Sequence, residues 1–228
     1  MPYFYYDWTM ILVIPGLLLG LYAQFKVKST FDRYSRVRTK SGLTAEAAAR
    51  ALLSRGGSAN VTISRVNGSL TDHYDPSSKT LRLSDSVYGS DSVAAVGVAA
   101  HECGHALQEH DGYGLLKLRT ALVPVVNIGS SLYLPIFMAG LLFSWEPLQM
   151  VGILCFALTL LFSLVTLPVE INASKRALGM LEGVLDAEEL QGAKAVLSAA
   201  ALTYLASVIS SALQLLRLIL ISRSRNRD

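Results

Sequence analysis

Residues 121–143 run for 23 positions without a charged side chain, and residues 8–25, 148–169 and 195–216 are three further uncharged stretches in a chain of 228. A helix needs about 20 apolar residues to cross the hydrocarbon of a bilayer. No water reaches backbone amides there, so each stretch must satisfy its own N–H and C=O groups as a helix. These stretches commit more than a third of the chain to spans and leave residues 26–120 as the longest polar segment, with room for a small domain. Composition follows from this: 52% of the residues are hydrophobic and 16% charged, at a mean hydropathy of +0.42, which excludes an ordinary soluble domain. Pro15, Pro124 and Pro135 lie inside the stretches, where neighbouring groups re-satisfy the freed backbone.

Thirteen of the 20 Lys and Arg residues fall between Lys26 and Arg119. The positive-inside rule therefore puts that segment in the cytoplasm and the N-terminus outside, as expected for a protein of the bacterial cell membrane. The first stretch has "MPYFYYDW" before it and "KVKS" after it, the reverse of a cleavable signal peptide, so it reads as a retained anchor. The basic run Lys26, Lys28, Arg33, Arg36, Arg38 and Lys40 then meets anionic headgroups of the lipid bilayer rather than nucleic acid. The expected layout has residues 8–25 as an anchor, 26–120 as a cytoplasmic domain and 121–169 as a transmembrane hairpin. Residues 170–194 form a return segment, 195–221 a fourth transmembrane or interfacial helix, and 222–228 a basic tail. A fourth span would carry that tail outside against the charge rule, and both arrangements stay open. The two cysteines, Cys103 and Cys155, suggest no disulfide framework.

Within the polar segment, "LTAEAAARALLSRGG" predicts a short helix, with Thr44 as N-cap, Glu46 in the first turn and Gly56 or Gly57 as the stop. The period then changes to two in "NVTISRV", "LTDHY" and "TLRLS". Asn67-Gly68 is a hairpin signal and Asp75-Pro76-Ser77-Ser78 a turn signal, so the expectation is a three-stranded antiparallel meander. A second helix, "DSVAAVGVAAHECGHALQEH", is expected to be capped by Ser90 or Asp91, and Gly112 and Gly114 interrupt the chain after it.

That helix spells HExxH. Residues four apart share a helix face, so His101 and His105 can place two imidazole nitrogens on one tetrahedral zinc ion, while Glu102 reaches the water such an ion holds. The chemistry that follows is amide hydrolysis, with Glu102 as general base. With four histidines and eight glutamates in the chain, a shuffled sequence would show the pattern on the order of 0.2% of the time. Gly104 lies between the histidines; a mid-helix glycine costs about 1 kcal/mol relative to alanine, which points to close approach by another backbone.

A catalytic zinc takes three protein ligands and keeps a fourth position open. Glu170, at the end of the third apolar stretch, is the candidate for the third. If the second and third spans form a hairpin through "SWEP", the chain leaves the cytoplasmic face near Thr120 and returns to it near Glu170, on the side that carries HExxH. A carboxylate at a span boundary needs a partner, and the alternative to a metal is a snorkelling or Arg176-paired glutamate. His110, five residues past His105, turns away from the histidine face.

The blocks "LTDHYDPSSKTLRLS", "VAAHECGHALQ" and "LPVEINASKRAL", in that order among apolar runs of matching placement, resemble the YugP-type neutral zinc membrane metallopeptidases. These are gluzincin-like and distantly similar to the HtpX group. The resemblance covers nearly the whole chain. It implies an α-helical integral membrane protein with a small α+β zincin-like catalytic domain built from a helix, a three-stranded antiparallel sheet and the HExxH helix. It also implies Zn2+ on His101, His105 and Glu170, with Glu102 as base and a polypeptide as substrate. HtpX-like proteins often carry an aspartate four residues after the third ligand, where this chain has Ser174, so Asn172 or Ser174 is expected to orient a ligand instead. In such enzymes an edge strand binds extended substrate, which gives "TDHYD" that role and makes His73 or Tyr74 an oxyanion donor; the alternative leaves both on the surface near a turn.

Two rivals are distinguishable. An intramembrane protease would need HExxH within a span, but only residues 93–100 are apolar before His101, and the polar "QEHDGYG" follows. A non-catalytic scaffold or assembly factor would close its structural zinc with a fourth ligand, His73 or His110.

Overall fold

The computed structural model describes residues 8–225, so the first seven positions and the last three of the basic tail lie outside the described residues. A 3-10 turn, Trp8–Leu12, leads into α1 (Val13–Tyr34), followed by α2 (Ala45–Arg55), β1 (Thr62–Val66), β2 (His73–Asp75), β3 (Thr80–Ser84), α3 (Val93–His110), α4 (Gly114–Leu142), α5 (Glu146–Leu181) and α6 (Ala187–Arg225). Four helical segments, Trp8–Tyr34, Gly114–Leu142, Glu146–Leu181 and Ala187–Ser224, are long and apolar enough to cross a bilayer, one for each uncharged stretch. At 36 and 39 residues, α5 and α6 are about 54 and 58 Å long. That is well beyond the roughly 30 Å of hydrocarbon, so both continue as helix past the apolar stretch.

The chain divides into two compact units. One takes residues up to 22, 118–167 and from 203 onward; the other takes 23–117 and 168–202. In the first, Phe137, Ile153, Phe156 and Leu218 form a small apolar cluster, with the Tyr133 ring tilted against Phe156 at 4.8 Å between centroids. Helices α4 and α5 meet through small residues: a Cβ on Gly129 would lie 3.0 Å from the Cys155 carbonyl oxygen, the close backbone approach that drives helix pairing in lipid. The fully buried Gln149 is held by donating to Gly140 O at 3.2 Å and accepting from Ser222 at 2.7 Å.

In the second unit, α2 forms as the sequence predicts. The Thr44 hydroxyl accepts from the Ala47 amide at 3.3 Å, and Gly56 is the C-cap. Ala45, Ala48, Ala49, Leu52 and Leu53 are buried, the i, i+3, i+4, i+7, i+8 stripe of a helix lying on a core. That core includes α3, which is buried on nearly every side. The N-cap of α3 is Ser92, whose hydroxyl accepts from Ala95 N at 3.2 Å, rather than Ser90 or Asp91. Three capping residues stand in a row, and the register is fixed from outside by Thr39 N donating to Asp91 O and Val93 N to Val37 O, each at 2.8 Å.

The sheet departs from the expected antiparallel meander. Its order is β1-β3-β2: β1 runs parallel to β3, Thr62 opposite Thr80 through Val66 opposite Ser84, and β2 runs antiparallel to β3. The physical reason lies in burial and in the loop. Leu81 and Leu83 are fully buried, which makes β3 the central strand, while β1 and β2 keep exposed residues and flank it. Asn67-Gly68 closes no hairpin. Gly68, at φ +113°, donates its N–H to the Asp85 carboxylate at 3.1 Å, and Asp72 accepts from the amide and hydroxyl of Ser84 at 2.7 and 2.8 Å. The last residue of β3 and the one after it thus hold the loop and carry it across the sheet. The Asp75 turn forms as expected, with its carboxylate accepting from Ser77 N at 2.9 Å and Ser78 Oγ at 2.7 Å.

Helix α6 starts in a capping box. Asp186 Oδ1 accepts from the amides of Glu188 and Glu189, and Asp186 N donates back to Glu189 Oε2 at 2.8 Å, a reciprocal arrangement that satisfies helix-end donors. The other Glu189 oxygen accepts from Lys40 N at 2.6 Å, which ties the segment after α1 to the start of α6.

Candidate metal centre

His101 and His105 lie one turn apart on α3, ring centroids 4.8 Å from each other and planes nearly perpendicular. Glu170 comes from α5, is 2% exposed, and places Oε2 at 3.1 Å from His101 Nε2 and 3.4 Å from His105 Nε2. One ligand atom from each of the three lies within 4.8 Å of the others. The crossing that brings them together depends on Gly104. A Cβ there would fall inside van der Waals contact of the Ala173 carbonyl oxygen, with the carbonyl carbon at 3.1 Å and Cα at 3.2 Å. The close backbone approach expected from the sequence is therefore made by α5, three residues beyond Glu170.

The far nitrogens of both rings are held. His105 Nδ1 is 3.0 Å from Gln108 Oε1, and the Gln108 amide group donates to Val169 O at 2.8 Å and Asn172 Oδ1 at 3.0 Å. With its N–H2 so engaged, Gln108 presents an acceptor, which fixes the proton of His105 on Nδ1 and leaves Nε2 as a bare lone pair. Ser174 Oγ is 3.1 Å from His101 Nδ1, and with the hydroxyl accepting, the same tautomer follows. Arg176 is occupied by Asn172 at 2.9 Å and by Asp111. Thus Asn172 and Ser174 both stand behind the site, and Gln108 joins them. Sequence reasoning missed Gln108, although its position three residues after His105 on a helix was the available signal.

Two imidazole lone pairs and a carboxylate converging in a buried space make a set of acceptors without a donor, and a cation is what such a set binds. The field agrees. Burial opposes charge on His105, but the Glu170 and Glu102 carboxylates outweigh it and raise its affinity for a proton, and the same negative field favours a metal ion. Glu102 is 8% exposed, and among the described residues no hydrogen bond or ion pair engages its carboxylate, which leaves it available to a water.

Tyr74 and His73 face opposite ways, as neighbours on a strand must. Tyr74 packs against the core with its hydroxyl donating to Glu109 of α3; burial and that carboxylate hold the phenol neutral well above the ordinary tyrosine range. His73 is exposed, its Nδ1 2.9 Å from Thr71 O and its Nε2 3.4 Å from Arg82. His110 is exposed at the end of α3, and neither His73 nor His110 is in the three-residue cluster. Cys103, next to the motif, is buried, and burial pushes its thiol up; it is a packing residue.

A family model described as "Putative neutral zinc metallopeptidase" matches residues 9–223. The chain belongs to that family. It is also 45% identical, over 214 residues, to the "Putative membrane protease YugP" of Bacillus subtilis (strain 168), a match that covers 93% of this chain and 95% of that protein. No solved structure matches. Membership of a zinc metallopeptidase family implies zinc, for which the cluster of two histidines and a glutamate offers ligand atoms, and the four apolar helices agree with a membrane protein.

Proposed function

We propose that this protein is a zinc-dependent endopeptidase that hydrolyses peptide bonds at the cytoplasmic surface of the bacterial cell membrane. Its substrates are membrane-associated or unfolded polypeptides, a class that fits membrane-protein quality control. The observation that carries the reading is the convergence of three ligand atoms from His101, His105 and Glu170, with Glu102 next to His101 on α3 and, among the described residues, no hydrogen bond or ion pair on its carboxylate. His101, His105 and Glu170 would hold the zinc ion, which would supply Lewis acidity to a water, lowering its pKa to about 7, and to the substrate carbonyl. The chain's own residues supply the rest. Gln108 and Ser174 fix the imidazoles in orientation and tautomer, and Glu102 accepts a proton from the attacking water and returns it to the leaving amine.

Strand β2 pairs with β3 along one edge only, so its other edge offers backbone N–H and C=O groups to an extended substrate. Of the two oxyanion candidates, Tyr74 is turned toward α3 while His73 points to the opposite side, and donation by Tyr74 to an oxyanion would require its hydroxyl to leave Glu109. Three ligands rather than four also favour the catalytic reading over a scaffold with a structural zinc, since neither His73 nor His110 joins the cluster.

Glu102→Gln tests this. With the full-length protein in liposomes and an unfolded reporter polypeptide, zinc content stays at one per chain and hydrolysis falls by about 100-fold or more. A variant that cleaves as fast as the parent removes Glu102 as the base.

A further inference from the structure

A groove of about 530 Å³ lies between α1 and α6 in the second unit, away from the metal centre. On α1 it is lined by Lys26, Ser29, Thr30 and Arg33, with Tyr34 beside them, and on α6 by Ala195, Ser198, Ala199 and Leu202. Both sets follow the i, i+3, i+4, i+7 spacing of one helix stripe. On two facing helices that stripe ordinarily carries apolar contact; here the α6 side is small and the α1 side carries two cations with hydroxyls between them. Among the described residues no carboxylate pairs with Lys26 or Arg33, although Arg33 stacks on the Tyr34 ring at 5.4 Å. Thr30 is only 9% exposed, yet no hydrogen bond within the described residues takes its hydroxyl or that of Ser198. Lys26, Ser29, Arg33 and Ser198 are exposed and Thr30 is buried, so the groove opens outward with two cations and the hydroxyls of Thr30 and Ser198 uncommitted, the few placed polar groups that a ligand site needs.

Two features identify the ligand. Cations about 10 Å apart along α1, with the Ser29 and Thr30 hydroxyls between them, suit a phosphate diester that carries further hydroxyls. Lys26 is also the first charge after the uncharged residues 8–25, and Phe25 beside it is 71% exposed, so the groove begins at the edge of the hydrocarbon, where headgroups lie. We propose that this groove is a specific site for an anionic phospholipid of the phosphatidylglycerol class. The phosphate sits between Lys26 and Arg33, and the glycerol hydroxyls meet Thr30 and Ser198, while Ser29, whose hydroxyl donates to Lys26 O at 3.2 Å, offers an acceptor.

Native mass spectrometry of the full chain in detergent, titrated with phosphatidylglycerol or phosphatidylcholine, tests the proposal. One tightly bound phosphatidylglycerol and no matching phosphatidylcholine adduct are expected. Lys26→Gln with Arg33→Gln should weaken phosphatidylglycerol binding about thirtyfold, the effect of removing two headgroup-level cations. Ser198→Leu fills the groove without changing charge and should weaken it at least tenfold, with melting temperature and zinc content as checks on folding. Unchanged binding in Ser198→Leu at a parental melting temperature would mean a diffuse basic surface and overturn the site. If Ser198→Leu does not fold, the exposed double variant decides alone: parental affinity overturns the proposal. Displacement of the lipid by millimolar inorganic phosphate would likewise overturn it, since the free anion would then be the ligand. None of these outcomes depends on peptidase activity.

Discussion

Gly104→Ala is a substitution that most helices welcome, and here it should disable the metal centre. Alanine gains about 1 kcal/mol of helix propensity. Against this, the new methyl would sit 3.1 Å from the Ala173 carbonyl carbon and closer still to its oxygen. Carbon contacts rest at about 3.5 Å or more, so α5 must move by about 0.4 Å on the carbon contact alone, and overpacking of this kind costs about 1–3 kcal/mol. The two terms nearly cancel in stability. They do not cancel in geometry: Ala173 is three residues from Glu170 on the same helix, and metal–ligand distances tolerate about 0.2 Å. The expected result is a melting temperature within a few degrees of the parent and a zinc affinity at least tenfold weaker, read by chelator competition on the detergent-purified protein. Gly97→Ala is the internal control. Its Cβ would meet Ala193 Cβ at 3.4 Å, an ordinary contact, so the same substitution two turns earlier should keep full zinc affinity and raise stability slightly. Equal zinc affinity in the two variants would refute the claim that the Gly104 crossing sets the position of Glu170.

Glu170→Gln keeps the shape of the side chain and removes its charge; zinc should be lost on dialysis against a weak chelator, and zinc retained at parental affinity would remove Glu170 from the ligand set. Gln108→Ala deprives His105 Nδ1 of its acceptor and should weaken zinc binding about 10- to 100-fold, with Gln108→Glu, which keeps an acceptor there, retaining more of it. Asp75 accepts from Ser78 and Arg82, which hold its carboxyl below the usual carboxylate range. A folded pKa below the unfolded one stabilises the fold above the unfolded value, about 3.9, and that contribution fades as pH falls toward the folded one. The melting-temperature gap between parent and Asp75→Asn should therefore be full at pH 7 and shrink below about pH 4; a gap constant down to pH 3 would contradict the ion pair.

The parts of the site that were legible in sequence are those fixed by one element's geometry or by counting crossings. His101, Glu102 and His105 need only the helix period. Glu170 needed the hairpin of spans, and Gly104 needed only the cost of a glycine in mid-helix. Gln108 was not legible, because its role is defined by what α5 places opposite it, the Val169 carbonyl and Asn172, and a glutamine on a helix carries no pattern of its own. The sheet failed for a similar reason. Period two located β1 and β3, but the loop between β1 and β2 is held by Asp72 and Asp85 to the end of β3 and the residue after it, and such long-range bonds leave no trace in local turn signals. The α6 capping box at Asp186 and Glu189 was readable as a pattern; what the sequence hid was the second use of Glu189 as an acceptor for Lys40.

The unit that holds the site is discontinuous, made of residues 23–117 and 168–202, and the break falls between the two parts of the ligand set. His101, Glu102 and His105 lie before it, Glu170 after it. The fifty residues between them are α4 and the first part of α5, the two apolar helices joined by a tight turn at Ser144. A flexible excursion of that length would cost loop-closure entropy and leave the third ligand free to wander. A helical hairpin instead returns the chain in a fixed register, because Glu170 rides on the same continuous helix that begins at Glu146.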